Sequence, residues 1–341
     1  LPRDILDKRN VAVAVAGVLL VLVLLLTITP AGPAASNAIS YVLNPSSNLA
    51  LGTILIIALI LGIMHGATPD EHTWPITFSY AIGSYSTRKG MKAGFAFSAG
   101  FTVQRAILTT LGFLGLAAIY KVYNLDGPIY VTVGIVMAIA GFYILNKKLY
   151  LHLDIGKKIM GNEHHSKYAE RVPMHEDKPE PKGVSLRMAV AHGLIAGWGF
   201  GAYSTIITFI LAPQVPSLIY APLVGVMFGI GTMIMQIIFG AIFANLARVK
   251  KLTEEQIKHV GRMTAGRTLY YGGIAFAIIG LLIILFPLID NFALSTGNPI
   301  PNLSSITVAT VLVLIVVGGI GFGNLAIELR KILKYKSVKG T

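Results

Sequence analysis

Between His65 and Trp74 the chain reads H-G-A-T-P-D-E-H-T-W, which puts two imidazoles and two carboxylates within eight residues. Imidazole nitrogen and carboxylate oxygen together suit nickel, cobalt, iron or zinc, the carboxylate offsetting part of a dication's charge. His65, Asp70 and His72 are the candidate ligands, with Glu71 beside them. The flanks make this composition costly. Residues 49–64 form an apolar run without a charge, and a second apolar run covers 74–85. The four ionisable groups therefore fall at membrane depth, where a partner or an ion is expected.

Local residue types predict a break between two helices here. Gly66 suits a helix end, and Pro69 disfavours helix at Thr68. T-P-D-E is a helix-start signature, with Thr68 as N-cap, Pro69 as the first helical residue and Glu71 at the capping-box position. On this reading Glu71 bonds the Thr68 backbone, and Asp70 either ligates an ion or only complements the helix dipole. A break at membrane depth is tolerated where protein or a water-filled cavity surrounds it, and in transporters such breaks mark ion and substrate sites. A single helix from Leu49 to Ser86 would be about 57 Å long, nearly twice the ~30 Å hydrocarbon core. The second half must bend, re-enter or lie along the interface.

Other polar residues stand in apolar runs. Gln104 and Arg105 lie near the middle of the next run, and Arg105 is the one mid-span basic residue. An ion pair with Asp70 or Glu71 is its natural expectation. Farther on, A-H-G-L-I-A-G-W-G-F-G echoes the first break, with His192-Gly193 matching His65-Gly66 and Trp198 standing for Trp74. His192 is thus a candidate fourth ligand. G-I-G-T-M-I-M-Q places Gln236 opposite Gln104. Glu71, Gln104, Arg105 and Gln236 are the candidates for a substrate pathway.

The elements that must hold these residues follow from composition. The 341 residues are 54% hydrophobic and 13% charged, which indicates an all-α polytopic membrane protein. At about 20 residues per span, eight spans are expected, near residues 10–30, 49–67, 93–119, 128–146, 187–212, 217–246, 268–289 and 305–326. The organisation expected is an accessory helix (1–48), a three-helix repeat (49–146), a polar cytoplasmic linker (147–186), a second three-helix repeat (187–289), and a last span with a basic tail (290–341). The linker carries His152, His164, His165 and His175. Of the 28 basic residues, 26 fall on one side of these spans and Lys121 on the other. That asymmetry puts both termini in the cytoplasm of a multi-pass cell-membrane protein. It also accounts for the net charge of +13 without nucleic acid. The second and fifth spans then run in opposite directions, as in an inverted repeat of three plus three spans with broken helices. The chain has no cysteine, so disulfide and thiol redox chemistry are excluded. The N-terminal apolar run, Val11 to Ile28, is longer than a signal-peptide core and is read as an uncleaved span.

H-x4-D-x-H followed by an apolar, Gly-rich span resembles the second span of the nickel/cobalt transporters and their efflux relatives, whose motif is H-x4-D-H. His65 and Asp70 match, and His72 matches after one extra residue, Glu71. The broader plan resembles the superfamily that also holds amino-acid exporters and the thiol-disulfide membrane carriers of cytochrome c biogenesis. Pro69-Asp70 stands where those carriers have Pro-Cys. The metal transporters usually add a histidine in the next span, in a G-H-[ST] setting, where this chain has G-F-T with Phe101. The resemblance implies a secondary transporter whose cargo is a divalent metal, with no resident cofactor, held by His65, Asp70 and His72.

The residues leave other readings open. An exporter of a small anion or amino acid would use Arg105 as its clamp. A non-transporting subunit of a membrane complex would use the polar cluster for helix packing, and a homo-oligomer is compatible with each reading. No G-x4-G-K-[ST] or H-E-x-x-H occurs, so neither nucleotide-driven transport by this chain nor zinc-protease chemistry is expected, and the protein is read as no enzyme.

Overall fold

A computed structural model describes residues 33–123, 125–146, 185–248 and 252–339. The expected span near 10–30 and the linker histidines lie outside the described residues. Helix α1 (Pro33–Leu43) precedes α2 (Leu51–Ala67), which ends at the first break, and α3 (Trp74–Ile82) follows. Next come α4 (Thr87–Phe113), α5 (Asp126–Leu145) and α6 (Leu186–Ala196). After a second break the chain resumes as α7 (Ala202–Thr205), which runs on as a π-helix over Ile206–Leu211. Helices α8 (Ala221–Leu246), α9 (Glu254–Leu285), α10 (Val308–Val313) and α11 (Gly323–Lys339) complete the fold, the last two joined by a π-helix over Leu314–Phe322. Two three-residue antiparallel strands, Ala293–Ser295 and Ser305–Thr307, form the sheet among the described residues.

Among the described residues, Asp126–Leu145, Leu218–Leu246, Glu254–Leu285 and Val308–Leu333 are each long and apolar enough to cross a membrane, and Leu51–Ala67 and Leu186–Ala196 are shorter apolar helices. Their outer faces carry large apolar side chains at four-residue spacing, as Ile234, Ile238 and Ile242 do on α8. Such stripes suit a lipid solvent rather than water. The chain is a helical membrane protein.

Several boundaries differ from the sequence reading, each for a local reason. The run expected as one span over 187–212 is interrupted at 197–201, where Gly197, Gly199 and Gly201 alternate with Trp198 and Phe200. The charged segment before the seventh span is continuous with it as a 32-residue helix, started by a capping box between Thr253 and Gln256. The third span begins earlier, at Thr87, where Ser86 caps it through the Lys89 N–H. The last span starts at Val308, after the second strand, and the basic tail continues it as helix.

Helix α3 resolves the length problem of the second span. Every residue from Pro75 to Ile82 is buried, so α3 lies inside the protein, packed against α4, α8, α9 and the π-helix at 314–322. Around it the long helices cross closely. α2 lies on α8 and α6 lies on α4, in both cases through a glycine. A Cβ on Gly62 would overlap the Phe228 carbonyl, and one on Gly193 would overlap the Phe97 carbonyl. The Thr232 hydroxyl adds a hydrogen bond to the Gly62 carbonyl at 3.1 Å. Small residues at such crossings let backbones approach in the absence of a hydrophobic drive between spans. Helix α5 pairs with α9 to close the other side.

Candidate metal centre at the first helix break

The break takes a form different from the capping box read in the sequence. Thr68 ends α2 rather than starting α3: its N–H donates to the Met64 carbonyl at 3.0 Å, and its hydroxyl reaches the Met64 and His65 carbonyls at 3.0 and 3.3 Å. It thereby satisfies acceptors at a helix C-terminus. Pro69 forces the extended conformation seen at Thr68 (φ −89°, ψ 149°). Asp70 then turns the chain. Its Oδ1 accepts the His72 N–H at 3.0 Å, and its carbonyl accepts the Thr73 and Trp74 N–H groups at 3.3 and 3.0 Å. Helix α3 starts only at Trp74, with Pro75 in its first turn.

Glu71 is freed from the capping role expected of it. Its Oε1 accepts the Tyr130 hydroxyl at 3.1 Å and lies 2.9 Å from His72 Nδ1. Asp70, Glu71 and His72 each turn a ligand atom into one group, all within 4.8 Å of one another. His72 is 5% exposed and Asp70 7%, while Glu71 is half-buried. With Nδ1–H donated to the Glu71 carboxylate, the remaining nitrogen of His72, Nε2, is buried and has no hydrogen-bond partner. A carboxylate on one ring nitrogen with the other left for a metal is the usual arrangement around a ligating histidine. The Tyr130 ring stacks on His72 at 5.1 Å between centroids, and Gly199 of the second break lies against the same imidazole, where a Cβ would stand 2.5 to 2.6 Å from its atoms.

His65 adjoins this group, its Nδ1 3.6 Å from Asp70 Oδ2. It is buried among Phe101, Phe228 and Tyr203, with ring centroids 5.5, 5.2 and 5.5 Å away, and neither ring nitrogen makes a hydrogen bond. Phe101 stacks on it at 14°. His192 lies elsewhere. Its Nδ1 is 2.5 Å from the Tyr80 hydroxyl, which ties α6 to α3, so the structure does not bring it into the group around Asp70.

Arg105 donates from Nη2 to the Gly199 carbonyl at 3.1 Å and sits over the Phe101 ring at 4.5 Å. It remains within electrostatic reach of Asp70 and His65. Gln104 packs on the second break at Gly197, and Gln236 donates to the Gly66 carbonyl of α2 at 3.4 Å. Both side-chain atoms of Gln104 and Oε1 of Gln236 are buried without a hydrogen-bond partner. Each glutamine thus faces the break helix that crosses its own helix. A loop from the short hairpin overlies the first break: Asn302 donates to the Thr68 hydroxyl at 3.3 Å, and the Tyr203 hydroxyl donates to the Pro301 carbonyl at 3.1 Å.

Sequence reasoning missed Tyr130 and Gly199. Tyr130 lies in the first turns of an ordinary span and gives no signal of its own. The alternation of glycines at 197, 199 and 201 is a usable signal for a backbone that another group must approach. No family profile, characterised protein or solved structure matches the chain.

Proposed function

We propose that this protein is a secondary transporter of a divalent transition metal of the nickel or cobalt class, with its site at the first helix break. The observation that carries the reading is the convergence of Asp70, Glu71 and His72 at a break between two helices, with Asp70 and His72 buried. The Asp70 carboxylate and an imidazole with an unpartnered nitrogen are donors such an ion takes, with Glu71 orienting the imidazole. Helix packing alone gives no reason to assemble them in a membrane protein. His65 stands close enough to Asp70 to join the coordination after a small side-chain movement.

The wider plan in this reading is eight spans with both termini cytoplasmic, folded as two inverted halves of three. The crossings support it: α2 on α8 and α6 on α4 exchange partners between halves, each through a glycine, and Gln236 and Gln104 reach the two breaks in reciprocal fashion. Broken helices meeting from opposite halves are the usual setting of an ion site in a transporter. Arg105 is in this view an internal counter-charge held by the Gly199 carbonyl.

The test is uptake of radioactive cobalt or nickel by proteoliposomes containing the untagged protein. Transport above protein-free vesicles, lost in His72→Ala and in Asp70→Asn, is expected. Transport that both variants retain would refute the site, and transport of an organic anion abolished by Arg105→Gln would replace the cargo.

A further inference from the structure

The loop that overlies the breaks has an exposed stem and a buried tip. Residues 291–295, which lead into it and include the first strand, are all exposed, whereas Asn298, Pro301 and Leu303 are buried. Its sequence, T-G-N-P-I-P-N-L-S over 296–304, closes on itself. The Thr296 N–H donates to the Ser304 carbonyl at 2.9 Å, the Leu303 N–H to the Ile300 carbonyl at 3.0 Å and the Ile300 N–H to Asn298 Oδ1 at 2.9 Å. The Thr296 hydroxyl also donates to the Leu303 carbonyl. Gly297 and Asn302 supply the left-handed backbone (φ 77° and 66°) at its two bends. These bonds run within the loop, so they survive when it moves as one body.

The tip rests on the breaks. Asn302 Nδ2 donates to the Thr68 hydroxyl at 3.3 Å, and the Pro301 carbonyl accepts the Tyr203 hydroxyl at 3.1 Å. Thr68 stands two residues before Asp70. Tyr203 follows the second break and meets the His65 ring edge-on, with centroids 5.5 Å apart. Neighbouring loop residues thus grip both breaks, beside the side chains that would hold the metal. Both grips are neutral hydrogen bonds, each worth about fivefold in an equilibrium between open and closed. The stem adds little to them. A two-stranded ribbon is marginal in water, and this one has three residues per strand, with the first strand exposed throughout. Such a segment opens at lower cost than the packed helices around it.

We propose that the loop 296–304 is a lid on the two breaks, and that a divalent cation reaches and leaves Asp70 and His72 past it when Asn302 and Pro301 let go. The proposal rests on the metal reading of the break and adds a gate and a side of access to it. A lid that opens alike over a filled and an empty site sets both rates together: weaker grips multiply association and dissociation by one factor and leave the affinity unchanged. A prop that shaped the site would change the affinity instead.

The full-length, untagged protein in detergent allows the test, because both tryptophans, Trp74 and Trp198, lie at the breaks and bound Co²⁺ quenches their fluorescence. Asn302→Gly removes one grip and keeps the left-handed backbone. In a second variant Asn-Gly replaces residues 297–303, which leaves the hairpin a tight turn and no lid. Stopped-flow mixing with Co²⁺, and with chelator for release, should show association and dissociation both about fivefold faster in Asn302→Gly and faster still with the short turn. Kd should stay within twofold of wild type in each. Rates within twofold of wild type in Asn302→Gly, with Co²⁺ bound at equilibrium, would overturn the lid and leave the metal site standing. Faster dissociation with unchanged association would mark the loop as a prop and also overturn it. If wild type binds no Co²⁺ in equilibrium dialysis, the metal reading falls and the lid with it.

Discussion

The imidazole of His72 lies against the backbone of Gly199, where a Cβ would stand 2.5 to 2.6 Å from Nδ1, Cε1 and Nε2. The two helix breaks are thereby in direct contact, one supplying the imidazole and the other the floor beneath it. Gly199→Ala should push the ring off its Glu71 partner. Losing such an orienting contact typically costs 10 to 100-fold in metal affinity, and overpacking costs about 1 to 3 kcal/mol of stability. Co²⁺ titration and thermal unfolding of the purified variant measure both, and wild-type affinity in Gly199→Ala would show that the ring does not need this floor.

Glu71 and Tyr130 act on the same imidazole. Tyr130→Phe keeps the stacked ring and removes the 3.1 Å hydrogen bond to Glu71. About a tenfold loss of Co²⁺ affinity is expected, with a larger loss in Glu71→Gln, which weakens the hold on His72 Nδ1. Isothermal titration decides the order. Should Glu71→Gln lower only the unfolding temperature, Glu71 is a structural residue after all.

His192 should separate from the metal group in function as it does in space. Tyr80→Phe leaves the buried His192 without its 2.5 Å partner, at a cost of about 1 to 3 kcal/mol. Thermal unfolding should register that loss while Co²⁺ affinity stays within twofold. A matching drop in affinity would bring His192 back into the site.

Topology can be read with single cysteines, since the chain has none of its own. Ser295 in the short hairpin and Glu255 at the start of α9 are both exposed. An impermeant maleimide applied to intact cells should label Ser295→Cys and spare Glu255→Cys. The reverse pattern would invert the orientation.

The sequence made the helical membrane class legible because composition and run length act over many residues at once. It also located the break, since Thr68-Pro69 stops a helix whatever surrounds it. What it misread was which side of the break Thr68 serves: T-P-D-E suits a helix start, yet the Thr68 hydroxyl turned back to Met64 and His65 and the Asp70 side chain closed the turn. That choice released Glu71 to Tyr130, a residue 59 positions away, and no local pattern encodes a partner at that distance. His192 was singled out by its likeness to His65, but likeness in sequence says nothing of Tyr80, which takes its ring nitrogen. The continuity of α9 was hidden because its polar first turns and its apolar remainder look like two elements, although no proline separates them and Gly261 and Gly266 stay within the helix.

The central claim is that Asp70, Glu71 and His72 hold a divalent metal, and X-ray absorption of the untagged protein loaded with Co²⁺ addresses it most directly. The expected spectrum shows one ion per chain with oxygen and nitrogen neighbours at about 2.0 to 2.2 Å and the outer-shell scattering of at least one imidazole, all lost in Asp70→Asn/His72→Ala. An identical spectrum and stoichiometry in that double variant, or no Co²⁺ retained by the wild type, would contradict the account.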